Sequence, residues 1–395
     1  MKTIKIKQLT LNNQNGFAAL VVALIIIIVL SLITVGFAQL MRNDQAAALS
    51  KQLSSQAYYA AESGVNDAYE AYINGFNVPK TNCNSTVSGQ GSQYLNNLNV
   101  NTTTNTGVTC LLMNPDPPNV IIGDIQNNRP VVVEMQGCST GQSTSNPPCT
   151  NGPPASVGSI NIQWNDTSDN NSLNSNNCSQ FLPTASTSSN TWSYQNILRI
   201  QLIPLSSNNT LTRNFLINNT YTAYLCPDNS LGQGNVYTIY KSSNPGIGLT
   251  ASFSGNPSSN TGSGDILNSS CPNGRPPCSI TLNVSKLADH IRNLYSTYLL
   301  VLSSIYPNPI TSTITMYSST NQSQQNQLDI ADAQLLVDST GKAQNVLKRI
   351  QVRIPETSQY NLPVGVEQGV VCKELDLQPS GSSNIAVSQN SICNP

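Results

Sequence analysis

Charge is the first thing this chain has little of. Only 9% of its 395 residues are charged and the formal net charge is -1, so the sequence offers no basic field to hold phosphates, and nucleic acid is not an expected partner. Histidine is scarcer still. His290 stands alone in Ala288-Asp289-His290-Ile291-Arg292 with no nucleophile motif elsewhere, so no catalytic residue is expected and the chain is read as a non-enzyme. With one histidine and no Cys-x-x-Cys, thiolate zinc is not expected either. Asn165 to Asn171 presents oxygen ligands but neither the central glycine nor the late glutamate of a calcium loop. Gly89-Gln90-Gly91 and Gly262-Ser263-Gly264 lack the strand, third glycine and helix of a dinucleotide site. The expectation is therefore no cofactor and no metal.

The next absence is local and more informative. From Phe17 to Leu40 there is no charged residue, whereas the preceding sixteen residues are polar and carry Lys2, Lys5 and Lys7. As a helix those apolar residues would rise about 36 Å, enough to cross a hydrocarbon core of about 30 Å. The lysines come first, and Arg42, Asp44 and Lys51 leave little positive bias afterwards, so the amino terminus should stay cytoplasmic and the remainder be exported. A cleaved secretory signal would be shorter and end in a small-residue site on its far side, which Gln39-Leu40-Met41 does not provide. A plain signal anchor remains open on hydropathy alone.

The periodicity continues past the apolar run. Leu49, Leu53, Ala57, Ala61, Val65, Ala68 and Tyr72 recur at helical steps, while Lys51, Gln52, Ser55, Gln56, Glu62, Asn66 and Glu70 occupy the rest of the surface. No proline interrupts the segment, and Asn74-Gly75 followed by Pro79 is a stop signal. One helix over 17–74 is expected, with Gly36 its weakest interior point.

The junction Gly16-Phe17, followed by Ala-Ala-Leu-Val-Val-Ala-Leu, resembles the prepilin peptidase site of type IV pilins. The resemblance implies removal of a 1–16 leader, a membrane-spanning half over 17–40, and a methylated amine on Phe17. Most pilins carry glutamate at the fifth mature position, and here that position is Val21. Its absence, together with Ala60-Ala61-Glu62-Ser63-Gly64, is similar to the PilX N-terminal type of minor pilin and to the K-type minor pseudopilin of type II secretion. The resemblance covers Gly16 to about Asp67 and implies an α+β protein: a long N-terminal helix, membrane-spanning in its first half and amphipathic in its second, packed on a globular head.

The head, 75–395, alternates short apolar runs with Asn/Ser/Thr/Gly/Pro clusters and is read as β-rich. Expected strands are Asn119 to Ile125, Val131 to Gln136, Ser159 to Trp164, Ile197 to Ile203, Tyr221 to Leu225, Val236 to Tyr240 and Ile280 to Val284. Tyr298 to Tyr306, Ser312 to Tyr317, Ala333 to Val337 and Val346 to Ile354 follow as a C-terminal meander within about 285–395, turning at Asp338-Ser339-Thr340-Gly341; this part could form a second lobe. A short helix is expected over Ser285 to Asn293, and Arg349 with Arg353 makes one strand face basic. Gly137 to Pro154, Cys178 to Ser189 and Ser254 to Asn273 read as linkers.

Ten cysteines lie beyond the apolar run, an even number that fits an oxidising compartment. Joining neighbours in order gives Cys83 with Cys110, Cys138 with Cys149, Cys178 with Cys226, Cys271 with Cys278 and Cys372 with Cys393, although sequence alone does not fix connectivity. The last pair would close a C-terminal loop similar to that of many pilins. The resemblance implies other pilin subunits, the cytoplasmic membrane and prepilin peptidase as partners, a single-pass membrane protein that moves to a cell-surface pilus, and roles in filament assembly, possible tip location and adhesion to a host or surface ligand. The rivals are a minor pseudopilin of a type II secretion-like system and a membrane-tethered adhesin outside any filament.

Overall fold

A computed structural model describes residues 14–75, 83, 105–126, 129–140, 149, 152–166, 197–205, 212–228, 235–242, 248–253, 256–261, 265–271, 277–287, 295–305 and 309–356. Residues 1–13, Gly89 to Gly91, Cys178, Gly262 to Gly264, His290, Cys372 and Cys393 lie outside the described residues, as do Thr167 to Asn171 and most of the helix expected at Ser285 to Asn293. The chain divides into two compact units, Met1–Leu112 with Asp338–Ile350, and Met113–Val337 with Gln351–Pro395.

The first unit is organised by helix α1, Gln14–Ile73. Its 60 residues rise about 90 Å. It ends as the residue types require: Asn74 and Gly75 donate their backbone N–H groups to Glu70 O (3.1 Å) and Tyr72 O (2.9 Å). Gly75 takes the left-handed conformation at φ 76° that a helix terminus uses. Strands β1 (Thr106–Asn114), β15 (Gln334–Ala343) and β16 (Val346–Pro355) form a three-stranded sheet in the order β1-β15-β16.

The face of α1 turned to this sheet is made of small residues. Ala57, Ala61, Val65, Ala68 and Ala71 are buried. A Cβ on Gly341 of β15 would collide with the backbone of Ala57 and Ala61, and one on Gly64 would meet Ser339 Oγ and the methyls of Val108 at 3.1 and 3.2 Å. Helix and strand thus meet backbone to backbone. Asp338-Ser339-Thr340-Gly341, expected as a turn, lies inside β15, because its small residues serve this close approach. The reversal falls at Gln344-Asn345, where Gln344 has φ 51° and its N–H donates to Asn105 O at 2.9 Å.

The second unit contains β2 (Val120–Ile125), β3 (Val131–Cys138), β4 (Ser159–Asp166), β5 (Leu198–Leu205), β6 (Tyr221–Asp228) and β7 (Val236–Lys241). It continues with β8 (Leu249–Phe253), β9 (Asn256–Thr261), β10 (Asp265–Ser270), β11 (Cys278–Asn283), β12 (Thr297–Ser304), β13 (Ile310–Tyr317) and β14 (Gln327–Ala331), together with a short helix α2 (Arg213–Asn219). These strands join one sheet in the order β10-β6-β5-β12-β3-β14-β13-β4-β11-β7-β8-β9, with β2 on β13. β10 also bridges β11 at Ser270 and Ser279, so the path from β10 to β11 closes on itself. β12 and β13, expected as successive meander strands, are separated by β3 and β14. Each finds a longer partner elsewhere: β12 pairs with β5 over Thr297 to Ser304 and β13 with β4 over Ile310 to Tyr317.

An apolar cluster in this unit includes Trp164, Leu202, Tyr221, Ile239, Tyr298 and Met316, and Ile203, Leu205 and Leu299 form another. Period-2 burial supplies the first: on β13, Ile310, Ser312, Ile314 and Met316 face in and alternate with partly exposed neighbours. β2 bulges against β13, where Gly123 and Asp124 stand opposite Thr311 and Asp124 has φ 54°.

Two of the three expected linkers hold ordered structure in their described parts, and Cys178 to Ser189 lies outside the described residues. Ser254 to Asn273 contains β9 and β10, and β10 runs parallel to β6 over six residues despite its polar sequence. Backbone pairing, which needs no apolar side chain, is what composition misses. In Gly137 to Pro154, Cys138 is bonded to Cys149 and bridges Pro154. α2 starts on Thr212, whose Oγ1 accepts from the Phe215 N–H at 3.2 Å. Cys83 is bonded to Cys110 and Cys271 to Cys278. Cys226 is also in a disulfide.

Candidate functional site

The functional candidate is the surface of α1. From Leu20 to Met41 sixteen large apolar side chains are exposed, among them Ile27 at 64% and Leu32 at 68%. Among the described residues, nothing buries the most apolar stretch. At about 1.5 to 3 kcal/mol for each such side chain fully removed from water, leaving this surface wet would forfeit on the order of 20 kcal/mol. The segment is long and apolar enough to cross a membrane.

Its two hydroxyls suit that setting. Ser31 Oγ donates to Ile27 O at 2.7 Å and Thr34 Oγ1 to Ser31 O at 2.9 Å, so neither donor needs water. Val21 is 40% exposed and adds to this apolar surface. Gly36 has nothing within 4 Å of the place its Cβ would take. Gly16 and Phe17 fall in the first turn of α1, which begins at Gln14, three residues before the expected start.

Beyond Arg42 the helix becomes two-sided. Opposite the alanine face stand Tyr59 (66% exposed), Tyr69 (42%) and Ile73 (64%), with Tyr58 and Tyr59 edge to face at 5.9 Å. Glu62, Asn66 and Glu70 share the exposed surface. Leu49, expected on the packed stripe, is exposed, and Leu53 and Tyr72 are only partly buried. The stripe is completed instead by Gly64 and Ala71, since backbone contact with β15 leaves no room for leucine or tyrosine. Asp67 is raised above the ordinary carboxyl range by burial, with Glu70 one turn on adding to the effect.

The pair expected to form a basic strand face is largely engaged. Arg349 makes a forked ion pair with Asp338, Nε donating to Oδ1 (2.8 Å) and Oδ2 (2.9 Å) and Nη2 donating to Oδ2. That bonding raises the Arg349 guanidinium above its usual value. Arg353 donates to Asn119 O and Oδ1, both at 2.8 Å, and partial burial lowers it. Sequence periodicity placed the two arginines but gave no sign of Asp338 or Asn119, which lie far off in the chain or on another strand.

Sequence reasoning also missed an acidic group in the second unit. Asp332 sits at the β14 to β15 turn with φ 63°; burial, then Glu134 and Asp116, push its carboxyl up to about 6. Among the described residues no group of three histidine, cysteine or acidic side chains is arranged to hold a metal.

No curated protein and no solved structure matches the chain. A family model described as PilX N-terminal matches residues 15–66, the stretch that holds the Gly16-Phe17 junction, the exposed apolar half of α1 and most of its alanine face.

Proposed function

We propose that this chain is a minor pilin of a type IV pilus: a structural, non-enzymatic subunit that enters the filament through α1 and presents its β-rich part outside the cytoplasm. The single observation that carries the reading is the coincidence of the PilX N-terminal match at 15–66 with a helix whose most apolar stretch is not buried by any of the described residues. Before assembly the bilayer covers that half, and in the filament the corresponding helices of other pilin subunits do so. The exchange is feasible because lipid and apolar helix surface are close in polarity, leaving shape and packing to decide between them.

In this reading prepilin peptidase cuts between Gly16 and Phe17, and the new amine of Phe17 is methylated. Val21 supplies no carboxylate to pair with the amine of a neighbouring subunit, which suits a position at the filament tip, in filament initiation, where one such pair is not required. The β-rich part then faces outward for adhesion to a host or other surface. Shearing the surface fibres from intact cells and probing that fraction for this chain tests the assignment. Recovery with the fibres, dependent on prepilin peptidase, is expected; recovery only with the membrane would overturn it in favour of a tethered adhesin. Recovery with a secretion apparatus instead would select the pseudopilin.

A further inference from the structure

Beyond its apolar half, the first unit carries two exposed surfaces of opposite charge. From Gln52 to Gly75 the sequence has Glu62, Asp67 and Glu70 and no lysine or arginine. Tyr59, Glu62, Asn66 and Glu70 recur at steps of three and four and are all exposed, on the side of α1 turned away from its alanine face. The hairpin 338–350 has Lys342, Lys348 and Arg349 against one acid, Asp338, which Arg349 already engages. Lys348 is exposed, and the Arg349 side chain stays 69% exposed within its ion pair.

The packing of α1 on β15 fixes the height of these charges along the helix. Gly341 lies against Ala57 and Ala61, and Ser339 lies against Gly64. From one contact to the other the strand covers about 6.6 Å and the helix rises about 7.5 Å, so β15 runs down α1 as α1 climbs. After the reversal at Gln344-Asn345, β16 climbs again. Arg349 is clamped on Asp338, the neighbour of Ser339, and so stands level with Gly64. Lys348 lies one strand residue lower, about 3.3 Å, and Glu62 lies two helix residues below Gly64, about 3 Å. Glu62 and Lys348 therefore share one height, on different sides of the unit.

We propose that this unit pairs with a second copy of the chain, α1 of each copy lying against the hairpin of the other so that Glu62 meets Lys348 twice. The pairing rests on the reading of α1 as a membrane-anchored pilin helix. Two such helices enter the bilayer in the same direction, so the two-fold axis that relates them runs along the bilayer normal and preserves height. Tyr59, one turn below Glu62, takes the methylene stem of the incoming lysine. The charges also select this arrangement, because helix against helix would oppose acid to acid and hairpin against hairpin would oppose base to base.

Sedimentation of the full chain in detergent micelles tests the pairing. A dimer that weakens with added salt is expected. Glu62→Lys alone and Lys348→Glu alone should each raise its dissociation constant at least about tenfold, since each pair occurs twice, and the two exchanges together should restore it. A second readout needs no variant to fold: a zero-length carbodiimide, applied to a re-equilibrated mixture of light and heavy-nitrogen chains, should join Glu62 to Lys348 in peptides of mixed label. A monomer at every concentration, a dimer indifferent to the single exchanges or not restored by the double one, or a link of single label only would overturn the proposal. Recovery of the chain with sheared fibres is a separate measurement, so failure of the dimer leaves the filament assignment standing.

Discussion

Gly341→Ala is the most direct test of how α1 is seated. The added methyl would land on the backbone of Ala57 and Ala61, atoms that a rotamer change cannot move. Overpacking of this kind costs about 1 to 3 kcal/mol. Against it runs a gain of about 0.4 to 1 kcal/mol from the reduced freedom of the unfolded chain. The net expected loss is therefore about 1 to 2 kcal/mol, concentrated where the helix meets β15. Gly36→Ala provides the control, because no atom lies within 4 Å of the place its methyl would take and alanine favours a helix by about 1 kcal/mol. Amide exchange across residues 57–71 in micelles would read both variants. Gly341→Ala should accelerate exchange on that stretch several-fold and Gly36→Ala should leave it unchanged. Equal exchange in Gly341→Ala and wild type would refute the backbone-to-backbone packing of helix on strand.

Other consequences are open to measurement. Asp332 has a folded-state value of about 6 against an ordinary 3.8, so the folded state binds more protons between those limits and stability should fall as pH rises from 4 to 6. After allowance for solvent screening the change should be on the order of 1 kcal/mol. Asp332→Asn, which tolerates the positive φ, should flatten that part of a denaturation-versus-pH curve; an unchanged slope would assign it elsewhere. Cys271→Ser/Cys278→Ser should lower stability by about 2 kcal/mol in the loop-entropy model, and should loosen exchange at the flanking Ser270 and Ser279 bridge first. Asp338→Ala should release Arg349, detectable as new reactivity of that guanidinium towards dicarbonyl reagents, whereas Asp338→Asn should give an intermediate result.

The helix was legible because its signals are local. Hydropathy, the alanine periodicity and Asn74-Gly75 act within a few residues of one another, and each found its place in α1. The alternating strands were legible for the same reason: Ser312 to Tyr317 and Val131 to Gln136 alternate or run apolar, and they fall within β13 and β3. What was not legible depends on partners far away in the chain. β9 and β10 are held by backbone pairing and look like loop sequence, and β1 offers mixed residues whose role is set by β15. Asp338-Ser339-Thr340-Gly341 shows the difficulty most clearly, since turn-forming residues and close-packing residues are the same small types. The Gly16-Phe17 junction was visible, but the chemistry proposed for it depends on an enzyme and a filament rather than on this chain's fold.

The central claim is that the apolar half of α1 serves a filament after losing the polar residues before it. Intact-mass and N-terminal peptide analysis of the chain taken from sheared surface fibres tests this most directly. The account expects a mature chain beginning at Phe17, heavier by one methyl group on its amine. A chain that retains Met1 to Gly16 in the fibres would contradict it.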